Sequence, residues 1–210
     1  MASIFFLELI MQNRRFLINK MTKLNIIIKM KYKTEPEGDL LRIIALKNFS
    51  NVRKGDKGGL IEKESNLSQE GNCWVYGDAC VSGNACISDN AKVYNNAWVY
   101  DNAKVCGNAE VYDHARVWGN AWVYNAACVS DNAEVYGNTH VYENAWICGN
   151  AKVYDNARIS GEAQVGRNAR VYKNANVWGS AIVGENTCVG EGFTVCGNIT
   201  AVFMEMLKQI

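Results

Sequence analysis

The sequence predicts an all-β fold: a single-stranded parallel β-helix of about seven 18-residue coils, with a small N-terminal cap and a short C-terminal helical cap. Three observations lead there. A six-residue unit repeats without an insertion. Each unit alternates inward and outward residues. The outward residues fall into chemically sensible columns when three units make one coil.

The repeat begins at Gly71, and its commonest unit is Gly/Asp-Asn-Ala-x-Val-Tyr. Its aliphatic position runs Val75, Val81, Ile87, Val93, Val99 and on to Val189 and Val195, 21 consecutive positions that are all Val or Ile. The position two residues earlier is Ala, except at Cys73, Thr139, Thr187 and Phe193. A period of six does not match the 3.6-residue recurrence of an amphipathic helix, and Asn, Gly and Val are poor helix formers. In a strand, alternate residues point to opposite faces. Ala and Val therefore point inward, while x and Tyr point outward. Gly/Asp-Asn forms the corner, because these residues tolerate left-handed backbone angles.

Three sides make an 18-residue coil, so residues 71–196 supply seven coils. Stacked at about 4.8 Å, they form a rod roughly 34 Å long. Residues 18 apart then stack on the surface. Tyr100, Trp118, Tyr136, Tyr154 and Tyr172 fall in one column, Tyr76, Tyr94 and Tyr112 in a second, and Tyr124 and Tyr142 in a third. Such ladders either brace the coils against one another or present a binding or oligomerisation face. Arg116, Glu134 and Lys152 also fall in file, Lys92 lies beside Glu110, and the corner residues Asn84, Asn102, Asn120, Asn138 and Asn156 line up as an amide ladder.

The flanking segments divide the chain further. Residues 1–30 differ from the rest: apolar residues Ile4–Met11 precede Arg14 and Arg15, the reverse of a signal peptide's order. We read this segment as an extension that is either disordered or untranslated, with Met30 as an alternative start. Residues 31–70 read as a β cap. Leu40–Leu46 is a strand, Asn51–Gly59 a turn-rich connection and Leu60–Ile61 a second strand. The array extends over 71–198. Residues 199–210, with Val202, Phe203, Met206 and Leu207 at helical spacing, form a short helical cap or the stump of a longer C-terminal region.

Composition excludes several classes. Residues 1–70 carry 13 basic against 8 acidic residues, and 71–196 carry 8 against 12, so the net charge of +1 hides a basic N-terminus and an acidic array. No overall basic excess points to nucleic acid, and no run of apolar residues is long enough for a transmembrane helix. No two of the eight cysteines are 18 apart. Cys86 with Cys106 and Cys128 with Cys148 are diagonal neighbours at about 7–8 Å, beyond the Cα separation of about 6.8 Å that a bridge tolerates. Free thiols and a cytoplasmic location follow. No Cys or His spacing suits a metal.

These units resemble the left-handed β-helix of the hexapeptide-repeat acyltransferases. The run Gly71-Asn72-Cys73-Trp74-Val75-Tyr76-Gly77-Asp78-Ala79 more narrowly resembles the YdcK-type acetyltransferase-like chains of bacteria and phages. Leu41-Arg42-Ile43, Gly58-Gly59-Leu60-Ile61-Glu62 and Asn66-Leu67-Ser68-Gln69-Glu70 fit that type as well, so the resemblance covers roughly residues 31–198. It implies a left-handed rod, trimeric in much of the superfamily, and CoA-dependent acyl transfer with a histidine base at a subunit interface. His140 and His114 are the two histidines available, and neither matches a family catalytic motif or adjoins an extruded loop. Two functions stand side by side. One is a non-catalytic structural or binding rod without a cofactor, using Tyr100, Trp118, Tyr136, Tyr154 and Tyr172 towards sister subunits, a protein or a carbohydrate. The other is an acetyl-CoA-dependent transferase.

Overall fold

A computed structural model describes Lys20, residues 30–197 and residues 200–201. The chain opens with an antiparallel hairpin, β1 (Tyr32–Glu37) and β2 (Leu40–Ala45). β2 pairs antiparallel with β3 (Lys57–Ile61), and β3 pairs parallel with the strand Cys80–Val81. From β3 onward the chain winds as a three-sided β-solenoid. Its faces are three sheets whose short strands pair in parallel with those one coil away. Face 1 carries Trp98–Val99 and Arg116–Val117, face 2 carries Lys104–Val105 and Trp122–Val123, and face 3 carries Glu110–Val111 and Cys128–Val129. The pairings Arg116↔Glu134 and Val117↔Val135 show the predicted 18-residue register.

Why these residues make this shape follows from the unit. Every Val or Ile of the repeat, from Val75 to Val195, is buried, and so is every Ala two residues earlier. The core is therefore a single column of methyl groups along the axis. Every sixth residue from Gly71 to Gly197 has φ between 53° and 75°. Gly accepts that region freely and Asp or Asn tolerates it. The acidic corners also close a hydrogen-bond deficit. Asp89 Oδ2 accepts from the Gly107 N–H at 2.9 Å and Asp131 Oδ2 from the Gly149 N–H at 2.7 Å, each one coil further along. The amide ladder of the first corner forms as expected, with Asn84, Asn102, Asn120, Asn138 and Asn156 linked side chain to side chain at 3.0–3.2 Å.

The array is longer than seven coils. Leu60–Ile61 on face 1, Leu67 bridging Ile87 on face 2, and Trp74–Val75 on face 3 form a leading coil, so there are eight turns. Leu67 and Ile87 lie 20 residues apart, so this coil holds two extra residues before Cys73. Face 3 begins at Trp74–Val75, so Cys73 O has no preceding coil to accept from, and Lys31 supplies the donor. Its buried Nζ donates to Cys73 O at 2.9 Å and to Glu70 O at 3.2 Å.

Three expectations need correction. Gly58 and Gly59 lie inside β3 rather than in a turn. A Cβ on Gly58 would meet Val75 O at 2.6 Å, and one on Gly59 would meet Ala79 O at 2.5 Å. The glycines serve close backbone approach. β1 was not foreseen as a strand. At the other end, Thr200–Ala201 pairs with Ile182–Val183 and continues face 3. The array therefore runs past the point where a helical cap was expected to begin. The expectations for residues 1–19, 21–29 and 202–210 lie outside the described residues.

Candidate functional site

The corner between faces 1 and 2 carries the five predicted aromatic residues, all half-buried. Tyr100 stacks on Trp118 at 5.5 Å, Trp118 on Tyr136 at 4.3 Å, Tyr136 on Tyr154 at 5.1 Å and Tyr154 on Tyr172 at 5.4 Å. The interplanar angles are 5° for the first three and 11° for the last. The ring faces are thus turned towards one another, and the edges remain for solvent. The ladder's ends are also occupied. Trp98 meets Tyr100 edge-on at 6.2 Å. Tyr172 lies over Gly190, where a Cβ would come within 2.4 Å of Tyr172 Cζ.

The other corners hold shorter ladders. Between faces 3 and 1, Tyr94 stacks on Tyr112 at 4.9 Å, while Tyr76 meets Tyr94 edge-on at 6.3 Å. Tyr94 donates its hydroxyl to Glu110 Oε2 at 2.9 Å, and Lys92 Nζ reaches Glu110 Oε1 at 2.9 Å. Between faces 2 and 3, Tyr124 stacks on Tyr142 at 5.1 Å. The expected ion-pair columns form in part: Lys152 pairs with Glu134 at 2.7 Å.

Sequence reasoning missed the exposed indoles. Trp98, Trp122, Trp146 and Trp178 are 53%, 39%, 42% and 49% exposed. The first three sit at the variable position x, which the strand alternation turns outward, so that alternation was the available signal. They occupy different faces. Three already have partners: Trp98 meets Tyr100, Lys104 Nζ lies 4.5 Å over the Trp122 ring, and Trp146 Nε1 donates to Ser130 Oγ at 3.1 Å.

The two histidines are not brought together. His140 lies on face 2, paired with Trp122 and Arg158 on the adjacent coils. His114 lies at the opposite corner, between faces 3 and 1, where it replaces an Asn. The amide ladder of that corner, Asn132, Asn150, Asn168 and Asn186, begins only after it. His114 lines a shallow depression of about 530 Å³ with Asp78, Asp113 and Asp131. Burial, then the neighbouring Arg158, holds His140 below the ordinary histidine value, so its imidazole is neutral at neutral pH. Its ring meets Trp122 at 5.8 Å and Tyr124 at 6.3 Å, and no carboxylate among the described residues orients it.

The depressed value has a consequence for stability. Just below the ordinary histidine range the unfolded chain binds a proton at His140 that the folded chain does not. Stability therefore falls as pH drops through that window and levels off below the folded value. The difference in melting midpoint between His140→Gln and the parent should shift in favour of the variant between about pH 7.5 and about pH 5. A difference independent of pH would contradict this environment for His140.

All eight cysteines are free thiols. Burial raises the Cys73 thiol despite Lys31, whose Nζ lies 3.2 Å from its Sγ. No helix among the described residues is long and apolar enough to cross a membrane.

One coil carries a family signature. Residues 151–167 match the family model described as the YdcK beta solenoid repeat. No curated protein matches the chain. The YdcK match spans nearly one coil and includes the Tyr154 rung together with Ile159 and Val165 of the core. It agrees with the solenoid and concerns the repeat, not an activity.

Proposed function

We propose that the chain is a non-catalytic structural or binding rod that meets its partner, copies of itself included, along the corner between faces 1 and 2. The observation that carries this reading is the strip itself. Ring edges and hydroxyls from Tyr100 to Tyr172 run beside the amide ladder from Asn84 to Asn156, giving an amphipathic band on coils that all keep the 18-residue register. Its ring faces are taken up by one another. A carbohydrate needs those faces, so the strip favours a protein partner. Sedimentation of the full chain tests this: the mass should be a multiple of 23.4 kDa, three being the multiple that the hexapeptide-repeat resemblance suggests. Trp118→Ala combined with Tyr136→Ala should return it to single-chain mass. A parent that sediments as a single chain would overturn self-association. The alternative, acetyl-CoA-dependent acyl transfer in a cleft between subunits, draws on the neutral imidazole of His140. Acetyl-CoA turnover abolished by His140→Ala would favour it.

A further inference from the structure

Tyr112 and Tyr172 each end an aromatic column, and the gap after each is filled; the remaining column is interrupted and then resumes. After Tyr112 the next level is Ser130, covered by the Trp146 indole that donates to its hydroxyl. After Tyr172 the next level is Gly190, covered by the Tyr172 ring itself. The third gap is different. On the corner between faces 2 and 3 the levels run Tyr124, Tyr142, Ser160 and Trp178, so a rung is missing between two aromatic walls.

Tyr142 and Trp178 are two coils apart, about 9.6 Å. A ring seated between them would lie about 4.8 Å from each. Stacked neighbours in the ladders are separated by 4.3–5.5 Å. Backbone hydrogen bonds hold the levels apart: Tyr142 N–H donates to Ile159 O at 3.0 Å, and Ser160 N–H donates to Val177 O at 2.9 Å. Tyr124 covers one face of Tyr142, and the Ser160 level adjoins the other. Trp178 stacks on no ring among the described residues and is half exposed. Ser160, only 9% exposed, is the floor. The depression measures about 500 Å³, and Arg158, Asn176 and Thr194 of face 2 line it too, a volume within the range of small-molecule sites.

The charge is equally defined. The acidic residue on the rim, Glu143, accepts from the Gly161 N–H at 2.5 Å. Arg158 makes no ion pair among the described residues, and its column neighbours are His140 and Asn176. The cation is thus open to a ligand's anion, and a guanidinium fits a carboxylate. We infer that the Ser160 gap is a binding slot for a planar aromatic acid, whose ring replaces the missing rung between Tyr142 and Trp178 and whose carboxylate meets Arg158. The slot lies on a different corner from the proposed partner strip, so slot binding and self-association fail independently.

The test is titration of the ¹⁵N-labelled full chain with indole-3-acetate and with neutral indole, following the Trp178 indole N–H resonance, assigned through Trp178→Phe, and the backbone N–H of Gly161 in the same depression, which is the reporter in Trp178→Ala. A saturable shift is expected with the acid and a weaker one with indole. Arg158→Gln should weaken the acid by about tenfold, the scale of one charge-assisted pair, and leave indole unchanged. Ser160→Tyr supplies the rung. It should raise the melting midpoint by about 2–4 °C and abolish binding of both probes. Trp178→Ala, which removes an exposed wall and leaves the core intact, should abolish binding even if Ser160→Tyr does not fold. No saturable shift in the parent, or undiminished binding in folded Ser160→Tyr or Trp178→Ala, would overturn the slot. Equal affinity of Arg158→Gln and the parent for the acid would overturn the anionic assignment.

Discussion

Val135→Asp is expected to divide the rod into two independently melting parts. Val135 is fully buried in the middle of the core column, stacked between Val117 and Val153. The backbone donors around it are committed: Glu134 N–H to Ala151 O and Tyr136 N–H to Val153 O, both at 2.9 Å. A carboxylate there finds neither water nor a free donor. The cost is about 4 kcal/mol or more, the upper range for a single substitution. A polar group is tolerated in this column only when bonded. Thr139 shows the condition, since its hydroxyl donates to Tyr136 O at 2.6 Å. Because each coil touches only its neighbours, the damage stays local while cooperativity is lost. Urea unfolding followed by circular dichroism should show two transitions in place of one, and limited proteolysis should open a new site near position 135. One cooperative transition at the parent's midpoint would mean that the core column is not the main support of the rod.

How far the fold was legible depends on whether a residue's partner lies 18 positions away. The core column, the corners and the ladder from Tyr100 to Tyr172 all obey that spacing, so arithmetic on the sequence placed them. Whatever depends on a departure from it was hidden. Lys31 has no repeat neighbour. Its role follows from the end of the face 3 sheet at Trp74–Val75, where Cys73 O has no preceding coil, visible only once the leading coil is placed. β1 carries Lys33, Glu35, Pro36 and Glu37, an unpromising strand by composition. It forms because it is an edge, where charge and a missing N–H discourage further pairing. Column arithmetic located the aromatic rings but not their orientation. Only the interplanar angles show that the ladder turns its ring faces towards one another, and only the ring contacts show that Trp178, beside the Ser160 gap, stacks on no ring among the described residues.

The cap accounts for the second large effect. An open coil end exposes the apolar column and unpaired strand edges, a template for another rod. Here face 1 ends in β3, then β2, then β1, where the pairing turns antiparallel and the stacking direction is lost. Arg42 fastens this hairpin to the array: its Nη1 donates to Gly58 O at 3.0 Å and to Gly77 O at 2.8 Å, and its guanidinium pairs with Glu37. All of this requires β3 to lie close against the first coil, and Gly59 permits it. Gly59→Val places a side chain where a Cβ already falls 2.5 Å from Ala79 O and from Val75 Cγ1. Backbone atoms cannot yield as a flexible side chain can, so β3 must lift away, taking β2, β1 and the Lys31 plug with it. The coils beyond Cys80 keep their own neighbours and stay folded. The expected product is an uncapped rod that associates end to end, seen as a concentration-dependent, polydisperse sedimentation profile with the β-sheet circular dichroism largely retained. A monodisperse variant at the parent's mass would show that the hairpin is dispensable for ending the stack. Wholesale loss of β structure would show that the leading coil nucleates the array rather than merely closing it.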